Sequence, residues 1–246
     1  MTPGVSTDAV PTLTDALLDP LLAPDANPMG PRITYYDDAT GERIELSTVT
    51  LANWAAKTAN LLRDELGAGP GSRVAILLPA HWQSAAVLLG VWWIGAEVVL
   101  GGPAELALCT AGRLAEADEA VAGGEVAVLS LDPFGKPAAD LPIGVTDYAT
   151  AVRVHGDQAI PERTPGPALD GRTVQETLAE ARRSAELQGL TAGNRVMSDR
   201  PWSTPQQVVD NLLAVLAAGA SLVQVANPDP GLLPRRRETE KVTRAL

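Results

Sequence analysis

The order of hydrophobic and polar residues predicts an N-terminal helix, a β-hairpin and a second helix. Residues 12–22 form a short apolar pattern, and we expect Pro20 to stop this first helix. Two alternating runs, 32–36 and 42–46, flank a turn that contains Asp and Gly, which is typical of a hairpin. Apolar residues at spacings of three, four and seven then predict a helix over 47–66.

After the second predicted helix, the pattern changes to that of buried strands joined by helices. Residues 74–78 are continuously apolar, as in a parallel strand that is covered on both faces. We predict a helix over 82–93 and a strand over 97–100. A second crossover is then expected to run through a helix near 111–122 to a strand over 126–131. Strand, helix and strand at this spacing indicate βαβ units.

The sequence also predicts a division into two halves. Residues 132–172 are rich in Pro, Gly and Asp and show weak periodicity, so we place the connection between the halves there. Thr173 followed by Glu176 forms a capping box that begins the next helix. The first half is therefore 30–131 and the second half is 173–246.

An internal repeat relates these halves. Gly-x-Arg-Val at 71–74, with Pro79 beyond it, recurs 122 residues later at 193–196 with Pro201 beyond it. An apolar helix and a Gly-Ala turn follow in both copies, now 124 residues apart. The sequence thus predicts one α/β domain over 1–246, with two pseudo-twofold-related layers of βαβ units, mainly parallel sheets and an N-terminal β-hairpin.

Composition and charge exclude several classes of protein. The net charge of −11 argues against binding to nucleic acid or to anionic membranes, which both need clustered positive charge. The single cysteine, Cys109, excludes an internal disulfide, and two histidines, His81 and His155, are too few for a His-rich metal site. We expect no metal. The N-terminus lacks a basic and apolar leader, so we predict a cytoplasmic protein without a signal peptide.

The two copies resemble segments of the N-terminal domain of the adenylate-forming superfamily, which includes acyl-CoA synthetases, peptide-synthetase adenylation domains and luciferases. The chain looks especially like a group of short, degenerate actinobacterial proteins related to AMP-binding enzymes. The resemblance implies an α/β fold and, for the family, activation of a carboxylate by ATP to give an acyl-adenylate and pyrophosphate. The matching segments are 33–35, 51–62, 71–79, 95–99, 189–196, 201–202 and 216–220.

The residues that the family uses for this chemistry are missing from the sequence. Its phosphate loop, rich in Ser, Thr and Gly and ending in Lys, precedes the helix that begins after Thr173. Here the 156–171 segment holds three prolines, three acidic residues and one arginine. Proline has no N–H, and net negative charge repels a triphosphate. The family's Tyr-Gly-x-Thr-Glu motif is absent, and its ribose-binding Asp and catalytic Lys lie beyond the similarity. We therefore predict no catalytic residue and no cofactor.

Three residues are candidate ligand contacts. Trp82 and Trp202 follow strand ends at equivalent points of the repeat, where α/β folds place ligand crevices. Thr204 occupies the region where the family has an aromatic residue followed by His. The alternative for both tryptophans is packing at a helix start.

The leading hypothesis is a non-catalytic protein that binds a small molecule or a partner protein. One alternative is a carboxylate-activating enzyme completed in trans by another chain, and another is a structural subunit of an oligomer. Because the family's full domain buries these layers against further segments, apolar surface should be left over. We therefore expect a homodimer.

Overall fold

Two five-stranded sheets and the helices packed on them make up the computed structural model, which describes residues 11–27 and 30–246. The strands are β1 (Pro31–Asp37), β2 (Glu42–Ser47), β3 (Arg73–Leu77), β4 (Glu97–Val99), β5 (Leu106–Thr110), β6 (Glu125–Leu129), β7 (Thr146–Asp147), β8 (Arg195–Ser198), β9 (Ser221–Ala226) and β10 (Arg244–Ala245). The α-helices are α1 (Leu13–Leu22), α2 (Thr48–Asp64), α3 (Trp82–Trp93), α4 (Leu114–Val121), α5 (Tyr148–Ala151), α6 (Val174–Leu187), α7 (Pro205–Val208), α8 (Ala214–Ala217) and α9 (Leu233–Thr239).

The two sheets differ in strand order and in strand direction. The hairpin sheet has the order β10-β8-β9-β1-β2, and every neighbouring pair is parallel except β1 with β2. The parallel sheet has the order β4-β3-β5-β6-β7 and is parallel throughout. The predicted α/β class, with mainly parallel sheets and an N-terminal hairpin, is confirmed. The hairpin lies in the same sheet as the strands of residues 173–246. The division of the chain into halves stays a prediction.

The largest apolar core lies between the two sheets. It contains side chains of both sheets together with those of α1, α2, α3, α6 and the helix that follows β8. The side chains of residues 74–78 point alternately to the two faces of the parallel sheet, as they do in a strand that is buried on both faces. Val74 and Ile76 belong to this central core, whereas Ala75 and Leu77 belong to a second core that α4 covers. A third, smaller cluster on the outer face of the hairpin sheet includes Leu233 of α9.

Three features of the chain differ from the predicted elements. Pro20 does not stop α1, because it lies in the last turn and removes only one backbone bond from a helix whose leucines are buried. The second crossover begins at β5, a strand that we missed because a short apolar run does not distinguish strand from helix. The weakly periodic 132–172 connection contains β7 and α5, and β7 extends the parallel sheet.

The two segments that the predicted repeat relates both form a parallel βαβ unit in the same register, while the repeat itself stays a prediction. Arg73 of β3 pairs with Glu97 of β4, and Arg195 of β8 pairs with Ser221 of β9. The helix of the second copy, 205–217, contains a π turn at Val209–Leu213 that α3 lacks. A π turn accommodates one extra residue. It therefore accounts for one of the two residues by which the spacing between the copies grows from 122 to 124.

A buried carboxylate connects the C-terminal helix to the hairpin. The Glu240 side chain, 4% exposed, accepts hydrogen bonds from the Tyr36 hydroxyl, from Arg43 Nε at 3.1 Å and from Arg195 Nη2. Burial by itself raises the pKa of Glu240, but the hydrogen bonds from Tyr36, Arg195 and Arg43 outweigh it and hold the pKa below its ordinary value. Glu240 thereby joins the end of α9 to β1, β2 and β8.

No helix in residues 11–27 or 30–246 is both long enough and apolar enough to cross a membrane.

Replacement of this carboxylate should destabilise the protein. We expect Glu240→Gln to lower the free energy of unfolding by about 2 kcal/mol at pH 7, since charged donors lose their acceptor. Because the pKa of Glu240 is lowered by folding, its contribution is complete above pH 4.5, the ordinary value, and is lost as the pH falls through the folded pKa. Urea denaturation at pH 7 and in acid measures both effects.

The matched control is Glu238→Gln, an exposed carboxylate two residues away. It should leave the free energy of unfolding within about 0.5 kcal/mol of the original. Equal effects of the two substitutions would contradict the role of Glu240.

Candidate functional site

A cleft of about 1080 Å³ lies where the carboxyl ends of strands from both sheets meet. The β1–β2 hairpin forms one wall, together with Ala226 and Asn227 at the end of β9. The opposite wall consists of residues 79–81, which follow β3, and residues 130–137, which follow β6. Ligands of open α/β sheets bind at the carboxyl ends of the strands, so we identify this cleft as the candidate site.

A buried histidine among the residues that line the cleft has a ring nitrogen without a hydrogen-bond partner among the described residues. His81 is 2% exposed and caps α3, with Nδ1 accepting the backbone N–H of Gln83 at 3.1 Å. In a neutral imidazole the proton must then be on Nε2. Nε2 has no hydrogen-bond partner among the described residues, and the nearest carboxylate oxygen, Glu42 Oε1, is 3.7 Å away. An unsatisfied buried donor is costly, so this atom favours an acceptor in the cleft.

Glu42 lies between the imidazole and an indole. Its Oε1 accepts a hydrogen bond from Trp82 Nε1 at 3.3 Å, and its side chain is 8% exposed. The Tyr35 ring meets the His81 ring edge to face, with centroids 4.3 Å apart. Burial, and to a lesser degree Asp37 and Glu42, raises the pKa of Tyr35 well above its ordinary value. The phenol therefore stays protonated across the physiological range.

The remaining charged groups of the cleft include carboxylates that already hold its loops. Asp37 Oδ1 accepts hydrogen bonds from Asn227 Nδ2 at 2.8 Å and from Ala39 N at 2.9 Å. Asp132 Oδ1 accepts the N–H groups of Phe134 and Lys136 at 2.8 and 3.2 Å. Among the described lining residues, three carboxylates face two cationic side chains, those of Arg43 and Lys136.

A smaller side cavity, of about 190 Å³, adjoins the cleft. Its walls include Trp54, Trp82 and Tyr148, and the first two rings meet edge to face with centroids 5.7 Å apart. Pro133 and Phe134 line both the side cavity and the cleft, so these two residues form the rim between them.

The structure separates the three predicted contact residues. Trp82 lines the side cavity, while Trp202 and Thr204 line neither the cleft nor the side cavity. Trp202 is 3% exposed, and its Nε1 has no partner among the described residues. Thr204 caps α7 by accepting the N–H of Gln207 at 3.2 Å. A ligand contact by any of the three stays a prediction.

Sequence reasoning missed His81, Glu42 and Tyr35 as site residues. The pattern around Tyr35 and Glu42 predicted only a hairpin. Nothing in that local pattern indicates that the hairpin faces the end of β3. His81 carried a weak signal, since it lies between Pro79 and a predicted helix, where a strand of a parallel sheet ends.

The 156–171 segment lies at the opposite end of the parallel sheet. Glu162 N donates to the Trp93 carbonyl at 3.1 Å, and Gly166 N donates to the Gly95 carbonyl at 3.0 Å, just before β4 begins. Further along, Asp170 N donates to the Val98 carbonyl at 3.1 Å. The segment is thus docked near the amino ends of β3 and β4, whereas the cleft is at the carboxyl ends.

Most N–H groups of this segment are engaged within the protein. The Glu162 carboxylate accepts the N–H groups of Arg163 and Thr164 at 2.8 and 2.9 Å, and the hydrogen bond from Thr164 is the main cause that lowers the pKa of Glu162. An internal anion therefore occupies donors of the kind that a phosphate needs. The segment's engaged N–H groups belong to Glu162, Arg163, Thr164, Gly166, Ala168, Leu169, Asp170 and Gly171.

Solved acyl-CoA synthetases share this fold. The Brucella canis acyl-CoA synthetase matches 95% of this chain with a TM-score of 0.76 at 18% sequence identity. Acetoacetyl-CoA synthetase from Streptomyces lividans matches 89% with a TM-score of 0.71 at 18% identity. The anthranilate CoA ligase AuaEII, in complex with anthranoyl-AMP, matches 93% with a TM-score of 0.68 at 15% identity. The chain spans less than half of these proteins, namely 46%, 39% and 47% of their lengths.

The class is therefore that of α/β proteins with an adenylate-forming-enzyme fold. A Mycobacterium tuberculosis (strain ATCC 25618 / H37Rv) protein called "TIGR03089 family protein" is 70% identical over 240 residues, which are 96% of this chain and 98% of that protein. The chain belongs to the TIGR03089 family. No family model matches the sequence.

Close backbone packing of the 156–171 segment leads to a stability prediction. A Cβ on Gly166 would lie 2.7 Å from Gly71 N and 2.9 Å from Gly71 Cα, and neither backbone atom moves easily. We expect Gly166→Ala to lower the free energy of unfolding by about 2 kcal/mol, as measured by urea denaturation. Gly69→Ala is the control, because its Cβ would meet no atom within 4 Å. A neutral Gly166→Ala would show that the segment is not tightly docked.

His81 provides a second prediction, on helix capping. His81→Ala removes the acceptor for Gln83 N and should destabilise the protein by about 1 kcal/mol. His81→Asn should retain most of that stability, since Asn is a favourable cap with a side-chain oxygen for the same N–H. Thermal or urea denaturation of both variants measures the difference. Equal destabilisation by Ala and Asn would argue against the capping role.

Proposed function

We propose that this chain is a non-catalytic small-molecule-binding protein that retains part of an adenylate-forming-enzyme fold. Its ligand binds in the cleft, near His81, Glu42 and Tyr35. The observation that carries the proposal is the use of the backbone donors in the 156–171 segment for internal hydrogen bonds. A site that stabilises a leaving polyphosphate needs free, preorganised donors and a cation.

The charge of the segment supports the same conclusion. Asp157, Glu162 and Asp170 oppose the single Arg163, and Asp157 is already paired with Lys57 at 2.9 Å. Transfer of an ATP polyphosphate to this surface would place like charges together without local compensation. The proteins with the same fold are described as acyl-CoA synthetases and a CoA ligase, and for this chain we propose binding without the adenylation step.

The cleft supports the binding part of the proposal. Its volume of about 1080 Å³ is at the upper end of typical small-molecule sites, and the adjoining side cavity adds an apolar pocket. His81 Nε2 is a buried donor without a described protein partner, which a bound acceptor would satisfy.

We retain the homodimer as a prediction that an oligomeric-mass measurement by light scattering would test. Six large apolar side chains are exposed among the described residues, but single exposed residues are normal on a monomer, so the prediction rests on the segments that cover these layers in the family's full domain. The six residues are Phe134, Ile143, Val154, Ile160, Leu187 and Leu232.

The absence of catalysis has a direct test. We expect no ATP–pyrophosphate exchange above a heat-denatured control with a panel of aliphatic and aromatic carboxylates, because most backbone N–H groups of the 156–171 segment are engaged and the segment carries net negative charge. An acyl-CoA synthetase of known activity, assayed in parallel, shows that the assay works. Reproducible exchange by this chain would reject the non-catalytic assignment and favour the carboxylate-activating alternative. A crystal soaked with ATP that showed its phosphates against residues 156–171 would do the same.

A further inference from the structure

The side cavity has the size and walls that suit one aromatic ring. Its volume is about 190 Å³, and an apolar cavity of roughly 150 Å³ is known to bind benzene. Trp54, Trp82 and Tyr148 line it, and aromatic rings favour edge-to-face or offset contacts with another ring. The polar atoms of two of these residues are already paired, since Trp82 Nε1 donates to Glu42 and the Tyr148 hydroxyl lies 2.7 Å from Thr58 Oγ1.

The rim between the side cavity and the cleft is a fixed loop with a free phenyl ring. Arg153 Nη2 donates to the carbonyls of Phe134 and Gly135, and Gln83 Nε2 donates to the Asp132 carbonyl at 3.0 Å. The Phe134 side chain is nevertheless 81% exposed. A large apolar side chain on a rigid rim is well placed to cover an apolar ligand that enters below it.

The charge around His81 determines the kind of acceptor that the cleft favours. Glu42 Oε1 lies 3.7 Å from His81 Nε2, so an acceptor bound at Nε2 would be close to a carboxylate. A second anion at this distance would be repelled, whereas a neutral carbonyl or amide oxygen would not be. The rings of His81 and Trp82 have centroids 5.6 Å apart, so the histidine lies beside a wall residue of the side cavity.

We propose that the ligand of this cleft is a neutral aromatic molecule whose ring occupies the side cavity and whose carbonyl or amide oxygen accepts a hydrogen bond from His81 Nε2. The inference rests on the proposed function, because it specifies the ligand class of the same cleft. The proposed ligand is neutral whereas a carboxylate is charged, and the experiment uses this difference.

Three probes separate the ring from the acceptor. Phenylacetamide carries both, cyclohexylacetamide lacks the aromatic ring, and phenylacetate replaces the neutral amide with a carboxylate. We expect phenylacetamide to bind the full chain about fivefold more tightly than cyclohexylacetamide and at least about tenfold more tightly than phenylacetate. Ligand-detected NMR titration at millimolar concentrations measures these weak affinities.

Variants test the two halves of the interaction. Ala149→Leu fills the side cavity and should abolish phenylacetamide binding. Phe134→Ala changes an exposed residue, so folding is preserved, and it should weaken binding about threefold by uncovering the ring. His81→Asn keeps the helix cap but removes the Nε2 donor, and it should weaken binding about tenfold. Ile160→Ala, another exposed apolar residue but one that lines neither the cleft nor the side cavity, should leave affinity unchanged.

The outcomes distinguish this inference from the proposed function. Phenylacetate or cyclohexylacetamide binding as tightly as phenylacetamide would overturn the inference, as would equal binding by the original chain, Phe134→Ala and His81→Asn. In those cases the proposal that the chain binds a small molecule would still stand, because a probe has bound. Mass spectrometry of small molecules extracted from the purified full chain provides a second measurement. A ringless or anionic extracted ligand would overturn only the inference, whereas no bound molecule and no probe binding would overturn both.

Discussion

The backbone hydrogen bonds between the 156–171 segment and the turn before β4 fix where this segment lies on the parallel sheet. They dock a proline-rich connection at the amino ends of β3 and β4, where Gly166 approaches Gly71 so closely that a Cβ does not fit. Two of these bonds, from Glu162 N to the Trp93 carbonyl and from Gly166 N to the Gly95 carbonyl, engage N–H groups of the segment. Each backbone donor has one proton to give, and this is why the proposed function has no polyphosphate site here.

The two ends of the parallel sheet consequently have different roles. The amino ends are closed by the docked segment, and its only basic residue, Arg163, is outnumbered by three acidic ones. The carboxyl ends stay open and meet those of the hairpin sheet, which adds Tyr35 and Glu42 to the cleft. This meeting of two sheets explains why the candidate site combines residues that are far apart in sequence, such as Glu42 and Lys136.

The sequence predicted the fold better than the site. Residues 74–78 were recognised from the continuous apolar run of a strand buried on both faces, and the helix before them from the regular spacing of its buried residues. β5 was missed because its run of four apolar residues, 106–109, is too short to distinguish a strand from part of a helix. The pairing of Glu42 with Trp82 was also beyond reach, since it depends on how the hairpin sheet lies against α3. The 156–171 segment was correctly noted as acidic and poor in donors, but only the structure shows where it docks.

A single electrostatic property links the proposed function and the ligand class. The chain has a net charge of −11, and under the proposed function two of its carboxylates would repel further anions. Glu162 accepts two backbone N–H groups of the 156–171 segment, and Glu42 Oε1 lies 3.7 Å from His81 Nε2. The first disfavours the polyphosphate of ATP and the second disfavours a carboxylate, so the two charged reactants of an adenylation meet repulsion at separate places. In the proposal a neutral ligand meets neither repulsion, its aromatic ring occupies the side cavity, and its acceptor pairs with a donor that the described residues leave unpaired.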